Sequence, residues 1–136
     1  MFEALGRDAT DDGWRAAAAE TLRARLAAPD PALAAFVVDH PDRPGALASC
    51  AVGVVDYRIG GPGNPAGEAG YILSVATDPD QRRRGYSRRC VTALIDWYRS
   101  RGIARVELRA SEYGEPLYHS LGFVRTDHPT MRLQLD

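Results

Sequence analysis

The chain contains no lysine and only two cysteines. All 17 basic residues are arginine, which excludes chemistry that depends on a reactive lysine amine and is typical of bacterial-like, GC-rich coding sequence. Cys50 and Cys90 lack the spacing of a metal site, and they fall in an apolar strand and on the apolar face of a helix. We therefore predict two reduced core cysteines and no metal.

Long hydrophobic runs are also missing. No stretch approaches the roughly 18 apolar residues that a membrane-spanning helix needs, and the first six residues lack the basic start and long apolar core of a secretion signal. We therefore expect a cytoplasmic protein without a membrane partner. Repeats and low-complexity tracts are absent from the 136 residues, which predicts one domain over residues 1–136, large enough to bury a core without metal or disulfide bonds.

The charge balance argues against a nucleic-acid partner. The formal net charge is −1, so no chain-wide basic surface is available. Basic charge is concentrated locally, in the five arginines of residues 82–89, and Tyr86 is the one aromatic residue among them. Nucleic-acid binding through such a cluster needs basic residues spread over a face with several interleaved aromatics.

Hydrophobic periodicity and turn-forming residues predict the order helix, three strands, helix, strand, helix, two strands. The predicted elements are an amphipathic helix over 11–27 capped by Thr10 or Asp11, a hairpin of strands over 34–39 and 47–57 or 58, a strand near 71–77, a helix over 86–101 ended by Gly102, a strand over 104–110 with one buried face, a short helix opened by Pro116 and closed by Gly122, and extended stretches over 123–126 and 131–135. The glycine-rich segment 60–67 is predicted to be a loop, which either borders a substrate cleft or is plain surface.

Residues 75–89 run from the end of an apolar strand through a tight basic turn into a helix. In this turn, Arg82-x-x-Gly85-x-Ser87, several backbone N–H groups can point at one position, where the positive end of the helix dipole adds to them. Cations at a helix start oppose the dipole by about 0.3–1 kcal/mol each, so a bound polyanion explains the arginines better than the alternative of a solvated basic surface. Gly85 lets a phosphate approach the backbone closely. The pattern predicts a pocket for a diphosphate.

Two motifs together resemble the GNAT superfamily of acetyl-CoA-dependent N-acetyltransferases. The first is similar to that family's pyrophosphate loop and reads Val75-x-x-Asp78-Pro79-x-x-Arg82-Arg83-Arg84-Gly85-Tyr86-Ser87. The second is similar to its Leu-Tyr-x-x-Leu-Gly-Phe signature and reads Leu117-Tyr118-His119-Ser120-Leu121-Gly122-Phe123. The resemblance runs from about Ala34 to Asp136.

The resemblance implies an α/β fold with a central mixed β-sheet flanked by helices. Family members usually begin with a strand ahead of the first helix, for which Met1 to Gly6 is a short candidate, so we predict that this first strand is absent. Its absence would leave the strand over 34–39 with an unpaired edge. A misassigned start of the sequence and a partner chain that covers the edge, such as a second copy in a homodimer, are the two explanations left open.

The resemblance also implies acetyl-CoA as cosubstrate and assigns residues to it. The main chain at Val75, Ala76 and Thr77 would pair with the pantetheine arm, and Ser111 stands where many members have an asparagine that contacts the same arm. The pyrophosphate would be held by Arg82, Arg83, Arg84, Gly85, Tyr86 and Ser87. Ser87 departs from the glycine or alanine common at its position, and its hydroxyl would crowd one phosphate oxygen.

The implied reaction is direct attack of an amine on the thioester within a ternary complex, which requires a polarised carbonyl and a proton for the leaving sulfur. A parting of parallel strands would expose the N–H of Val75 to the thioester oxygen. Tyr118 matches the family's proton donor, although a tyrosine packed between helix and sheet is the alternative. For the general base Asp56, Glu68, Tyr71 and Glu112 are candidates, and none is assigned.

Two functions therefore remain open. The first is an N-acetyltransferase whose acceptor is a primary amine of a small molecule, a peptide N-terminus or a lysine. The second is a catalytically silent module of the same fold that binds acyl-CoA as a sensor. Ser87 and the short N-terminal region slightly favour the sensor.

Overall fold

The computed structural model describes residues 13–136. Its elements in chain order are α1 (Gly13–Leu26), β1 (Leu33–Asp39), β2 (Leu47–Tyr57), β3 (Glu68–Thr77), a 3-10 turn (Pro79–Gln81), α2 (Tyr86–Ser100), β4 (Val106–Leu108) and α3 (Glu115–Ser120). The predicted cap at Thr10 or Asp11 and the candidate strand at Met1 to Gly6 lie outside the described residues.

The four strands form one mixed sheet in the order β1-β2-β3-β4. The β1–β2 and β2–β3 pairs are antiparallel, while β3 and β4 are parallel. This arrangement confirms the predicted hairpin and the α/β class, since a parallel pair requires a crossover and α2 supplies it. β3 begins at Glu68, three residues earlier than predicted.

Helix α2 buries one face against β1, β2 and β3, as its periodicity predicts. Val91, Leu94 and Tyr98 are completely buried there, and Cys90 is nearly so. None of the helices between residues 13 and 136 has the length and apolarity to cross a membrane.

Tyr98 is the largest side chain of this core. Its hydroxyl lies 3.0 Å from both the Val54 and the Tyr71 carbonyl oxygens, so it bridges β2 and β3. A Cβ at Gly53 would lie 2.2 Å from the hydroxyl oxygen, and one at Gly70 would lie 2.8 Å from the ring. These two glycines therefore make room for the ring. Burial raises the pKa of Tyr98 to about 12.

Both cysteines are free thiols, as predicted. Cys90 is buried, whereas Cys50 is only half-buried on β2, so the prediction of a core position holds fully for Cys90 alone. Burial raises the pKa of both thiols.

Three local predictions differ from the structure. β4 covers Val106–Leu108 and not 104–110. The stretches 123–126 and 131–135 are not strands, and the large apolar side chains in them are mostly exposed, at 90% for Met131 and 82% for Leu133. In α1 the Leu22 and Leu26 side chains are exposed, and the helix has no buried residue. In α1 and in the two C-terminal stretches the predicted apolar pattern is present, but the described residues leave most of its large apolar side chains exposed.

Candidate active site

β3 and β4 pair over three residues only and then part. Gly70 to Ile72 pair with Val106 to Leu108. β3 continues to Thr77 and stays paired with β2 along this length. The last five residues of β3 therefore have no β4 partner on their other edge.

A β-bulge in β3 lies where the strands part. The β2–β3 register shifts between Val52 and Gly53, which leaves Leu73 as the extra residue. Before the bulge, the N–H of Gly70 donates to Arg105 O on the β4 side, and after it the N–H of Asp78 donates to Ala48 O on the β2 side, both at 2.8 Å.

The bulge reverses which N–H groups face β4. In an unbroken strand, residues an even number of positions apart point their N–H groups to the same side. Gly70 and Asp78 are an even number of positions apart, yet their N–H groups point to opposite sides. After the bulge, the N–H groups of the odd-numbered residues Val75 and Thr77 therefore point away from β2. They face the side on which β4 has already ended.

The basic turn lies between the 3-10 turn and α2. Arg82, Arg83 and Arg84 are exposed, and two residues of the turn have left-handed backbone, Arg83 with φ 62° and Gly85 with φ 78°. Such conformations turn successive N–H groups towards one side. No side chain caps the start of α2, and its first turn has no acidic residue. The first N–H groups of the helix are thus open to an anion.

Gly85 has a second reason to be a glycine, besides the close phosphate approach that the sequence predicts. A Cβ there would meet no protein atom within 4 Å, so the rest of the chain leaves this position open. The positive φ of 78° is a conformation that glycine adopts without strain.

The Ser87 hydroxyl points into the sheet. It hydrogen-bonds to Thr77 Oγ1, which lies 2.9 Å from Ser49 Oγ, and Ser49 donates to the Ala76 carbonyl at 3.0 Å. Because a carbonyl only accepts, the protons must run from Ser87 to Thr77 to Ser49 to the Ala76 oxygen. The hydroxyl expected to crowd a phosphate oxygen is therefore used within the protein.

A cavity of about 730 Å³ lies beside β4. Tyr118, on α3, is half-buried in its wall and packs edge-on against Phe123 with the ring centroids 5.9 Å apart. Burial raises the pKa of Tyr118, so the phenol stays protonated at neutral pH. Among the described residues its hydroxyl has no hydrogen-bond partner, which leaves its proton available to a ligand.

The candidate bases divide between two places. Tyr71 and Glu112 line the same cavity as Tyr118. Glu68 and Asp56 lie outside it, and the Asp56 carboxylate accepts a 2.8 Å hydrogen bond from Arg58.

Ser111 is engaged locally. Its hydroxyl accepts a 3.1 Å hydrogen bond from the Gly114 N–H at the start of α3. The structure thus places Val75 to Thr77, the basic turn and the start of α2 along one continuous path, with Tyr118 and Ser111 on the segment that follows β4.

Sequence reasoning missed three cavity and turn contacts. The Arg82 guanidinium lies over the Tyr113 ring, 5.4 Å from its centroid. Glu115 binds Arg125 and, at 3.0 Å, His119, and the Arg125 hydrogen bond is the main reason that the pKa of Glu115 falls to about 2. No local pattern marks the Arg82–Tyr113 and Glu115–Arg125 contacts, because each joins segments that only the fold brings together. Glu115 and His119 are four residues apart on α3, so helical spacing could have indicated that pair.

Comparison with known proteins identifies relatives of this chain. A glucosamine 6-phosphate N-acetyltransferase of Trypanosoma brucei brucei is 38% identical over 66 residues, which are 48% of this chain and 44% of that enzyme. The chain therefore matches less than half the length of this curated relative.

Solved structures share the fold. A GCN5-related N-acetyltransferase from Ralstonia eutropha JMP134 is 29% identical with a TM-score of 0.72, over 96% of this chain and 86% of that one. A predicted acetyltransferase from Clostridium acetobutylicum, solved with acetyl-CoA, is 23% identical with a TM-score of 0.77, over 96% and 79% of the two chains. The sequence profile described as "Acetyltransferase (GNAT) family" matches residues 2–123. With most of its length inside that profile, the chain belongs to the GNAT family of acetyltransferases.

Proposed function

We propose that the protein is an N-acetyltransferase that moves an acetyl group from acetyl-CoA to a primary amine within a ternary complex. The observation that carries the proposal is the parting of β3 from β4 beside the basic turn. It leaves N–H groups of β3 unpaired with β4. From these groups the chain runs through the basic turn to the uncapped start of α2. A sensor module would need the same turn but would not need a proton donor in the adjoining cavity.

The cofactor would lie along this path. The amides of the turn from Arg82 to Ser87 would hold the diphosphate, with the arginine side chains adding positive charge. The main chain from Val75 to Thr77 would hydrogen-bond the pantetheine arm in place of the missing strand partner, and Ser111 lies on the segment that follows β4. Acetyl-CoA in the Clostridium acetobutylicum protein of the same fold supports a CoA-type ligand.

The reaction that we propose uses groups of this chain as follows. The amine nitrogen attacks the thioester carbon. The thioester oxygen, which gains negative charge, would accept a hydrogen bond from the backbone N–H of Val75. The carbon–sulfur bond breaks, and the Tyr118 hydroxyl would donate its proton to the thiolate. The amine loses a proton, either to water or to a group of the cavity such as Tyr71 or Glu112. No covalent acetyl-enzyme is needed.

A small-molecule amine is the acceptor class that we favour. The cavity of about 730 Å³ falls within the range of about 300–1,000 Å³ typical of small-ligand sites. Relatives of this fold carry the names glucosamine 6-phosphate N-acetyltransferase and aminoglycoside N-acetyltransferase. Amino sugars should therefore head the amine panel, followed by peptides with a free N-terminus or lysine.

The first test is binding. Calorimetry should show CoA binding to the wild-type protein, and Arg82→Ala or Arg84→Ala should weaken it by about tenfold, the loss expected for one charge-assisted contact. Arg99→Ala, an exposed arginine near the other end of α2, is the matched control and should leave affinity unchanged. No heat with millimolar CoA would refute the proposal.

The second test separates enzyme from sensor. The amine panel is incubated with acetyl-CoA and analysed by mass spectrometry for products heavier by one acetyl group. Acetylated product that forms only with protein supports the enzyme. Tight CoA binding without product from any amine supports the sensor.

A further inference from the structure

His40 is a buried titratable residue that the proposed mechanism does not use. It directly follows the last residue of β1, and only 2% of its side chain is exposed. Its Nε2 lies 3.0 Å from a carboxylate oxygen of Asp80, two residues before the basic turn begins. The turn between β1 and β2 is thus joined by a side chain to the segment that leads into the basic turn.

The geometry defines the form of the imidazole. The backbone N–H of Asp42 donates to His40 Nδ1 at 3.1 Å, so this nitrogen carries a lone pair. Neutral His40 must then carry its proton on Nε2, where it donates to the Asp80 carboxylate. Both ring nitrogens are satisfied at once, and the ring orientation is fixed by a backbone group.

A second contact runs in parallel. The Arg43 guanidinium, from the same turn as His40, hydrogen-bonds to Asp78 and lies 3.8 Å from Asp80. We name His40, Arg43, Asp78 and Asp80 the turn clamp. His40, Asp78 and Asp80 lie close enough to share a cation, but Arg43 already supplies the positive charge there and Nε2 of His40 carries a proton, so this group does not fit a metal.

The clamp acts on a segment that has few other restraints. Residues 82–85 are exposed, and a Cβ at Gly85 would meet no atom within 4 Å. Helix α2 fixes their far end. At the near end the N–H of Gln81 donates to Asp78 O at 2.9 Å, and the Gln81 side chain is buried. The clamp holds Asp78 and Asp80, which both precede this segment.

We propose that the turn clamp is a positioning device for diphosphate binding. By fixing where residues 78–81 leave β3, it sets the direction in which the amides of the basic turn point, so less ordering is needed when the diphosphate binds. The inference rests on the proposed function. Its residues act through the turn and do not touch the ligand.

The test compares two ligands that differ in the diphosphate. CoA carries it and pantetheine does not. Asp80→Ala removes an exposed carboxylate, and His40→Phe keeps an aromatic ring, larger than imidazole, but loses both hydrogen bonds. Each should weaken CoA binding by about five- to tenfold, the size of one ordinary hydrogen bond. Pantetheine binding, followed by ligand line broadening in NMR, should change by less than twofold.

The control is Asp96→Ala, which removes an exposed ion pair with Arg99 on α2. It should leave both ligands unaffected. The inference is overturned if Asp80→Ala binds CoA as the wild type does, or if CoA and pantetheine lose affinity equally. Because Asp80 is exposed, this variant is expected to fold even if His40→Phe does not. A wild-type protein that binds no CoA would instead refute the proposed function.

Discussion

Removing the Tyr98 hydroxyl should both destabilise the protein and relieve a constraint at Gly53. The hydroxyl lies 3.0 Å from the carbonyls of Val54 and Tyr71 in a fully buried position. Tyr98→Phe leaves at least one of these oxygens without its donor. We expect the free energy of unfolding to fall by about 1–3 kcal/mol, the cost of an unsatisfied buried polar group.

The same hydroxyl explains why residue 53 is a glycine. A Cβ at Gly53 would lie 2.2 Å from the Tyr98 oxygen, and the next atoms are Leu94 Cδ2 at 3.0 Å and Tyr98 Cζ at 3.1 Å. Gly53→Ala in the wild type should therefore cost about 1–3 kcal/mol through overpacking. In the Tyr98→Phe background the shortest contact is gone, so the cost should be smaller by about 1–2 kcal/mol.

Gly70→Ala is the matched control for this cycle. Its Cβ would lie 2.8–2.9 Å from three ring carbons, Cε1, Cδ1 and Cζ, which phenylalanine retains. Its cost should be equal in both backgrounds within about 0.5 kcal/mol. Any effect of alanine on the unfolded chain cancels within each cycle.

Urea unfolding monitored by circular dichroism gives the free energy of unfolding of the wild type, the three single variants and the two double variants. The comparison requires that the free energy depends on urea concentration with the same slope in all six proteins. The reasoning fails if Gly53 and Tyr98 show no coupling, or if Gly70 shows as much coupling as Gly53. It also fails if Tyr98→Phe is as stable as the wild type.

Three further predictions concern the site and its surroundings. Tyr118→Phe should lower turnover by about 10²-fold or more with little change in CoA affinity, as expected for loss of a general acid, and unchanged turnover would remove Tyr118 from that role. Ser87→Ala should cost about 0.5–1.5 kcal/mol of stability by ending the hydroxyl chain through Thr77 and leave CoA affinity nearly unchanged; a large gain in affinity would show that the hydroxyl does hinder the phosphate. Because Arg125 lowers the pKa of Glu115 from 4.5 to about 2 in the folded state, their interaction should stabilise the protein fully above pH 4.5 and progressively less as pH falls towards 2. In Glu115→Gln the melting temperature should depend less on pH over this range. Parallel curves of melting temperature against pH for the variant and the wild type would contradict the assignment.

Several features of the fold were predictable because they depend on neighbours in sequence. The α2 helix follows from apolar residues at helical spacing such as Val91 and Leu94, and its end follows from Gly102, which has φ 73°. The hairpin of β1 and β2 follows from two apolar runs separated by a turn. The mixed sheet itself was reached through the family resemblance and not through periodicity.

The failures share one cause. Met131 and Leu133 alternate with polar residues as in a strand, yet they are exposed, because a strand also requires a partner edge that alternation cannot reveal. β4 stops after Leu108 for a related reason, since its pairing depends on how far β3 stays parallel to it.

The amino-acid sequence alone determined the local chemistry of this protein: a basic turn at a helix start, a tyrosine in a Leu-Tyr-x-x-Leu-Gly-Phe segment, and the family to which they belong. Only the tertiary structure decided which backbone amides face the gap between β3 and β4, where the Ser87 hydroxyl points, and that His40 reaches Asp80 across 40 residues of chain. The directions of these backbone amides and side chains depend on a one-residue register shift and on packing between distant segments. Neither is encoded in any short stretch of sequence.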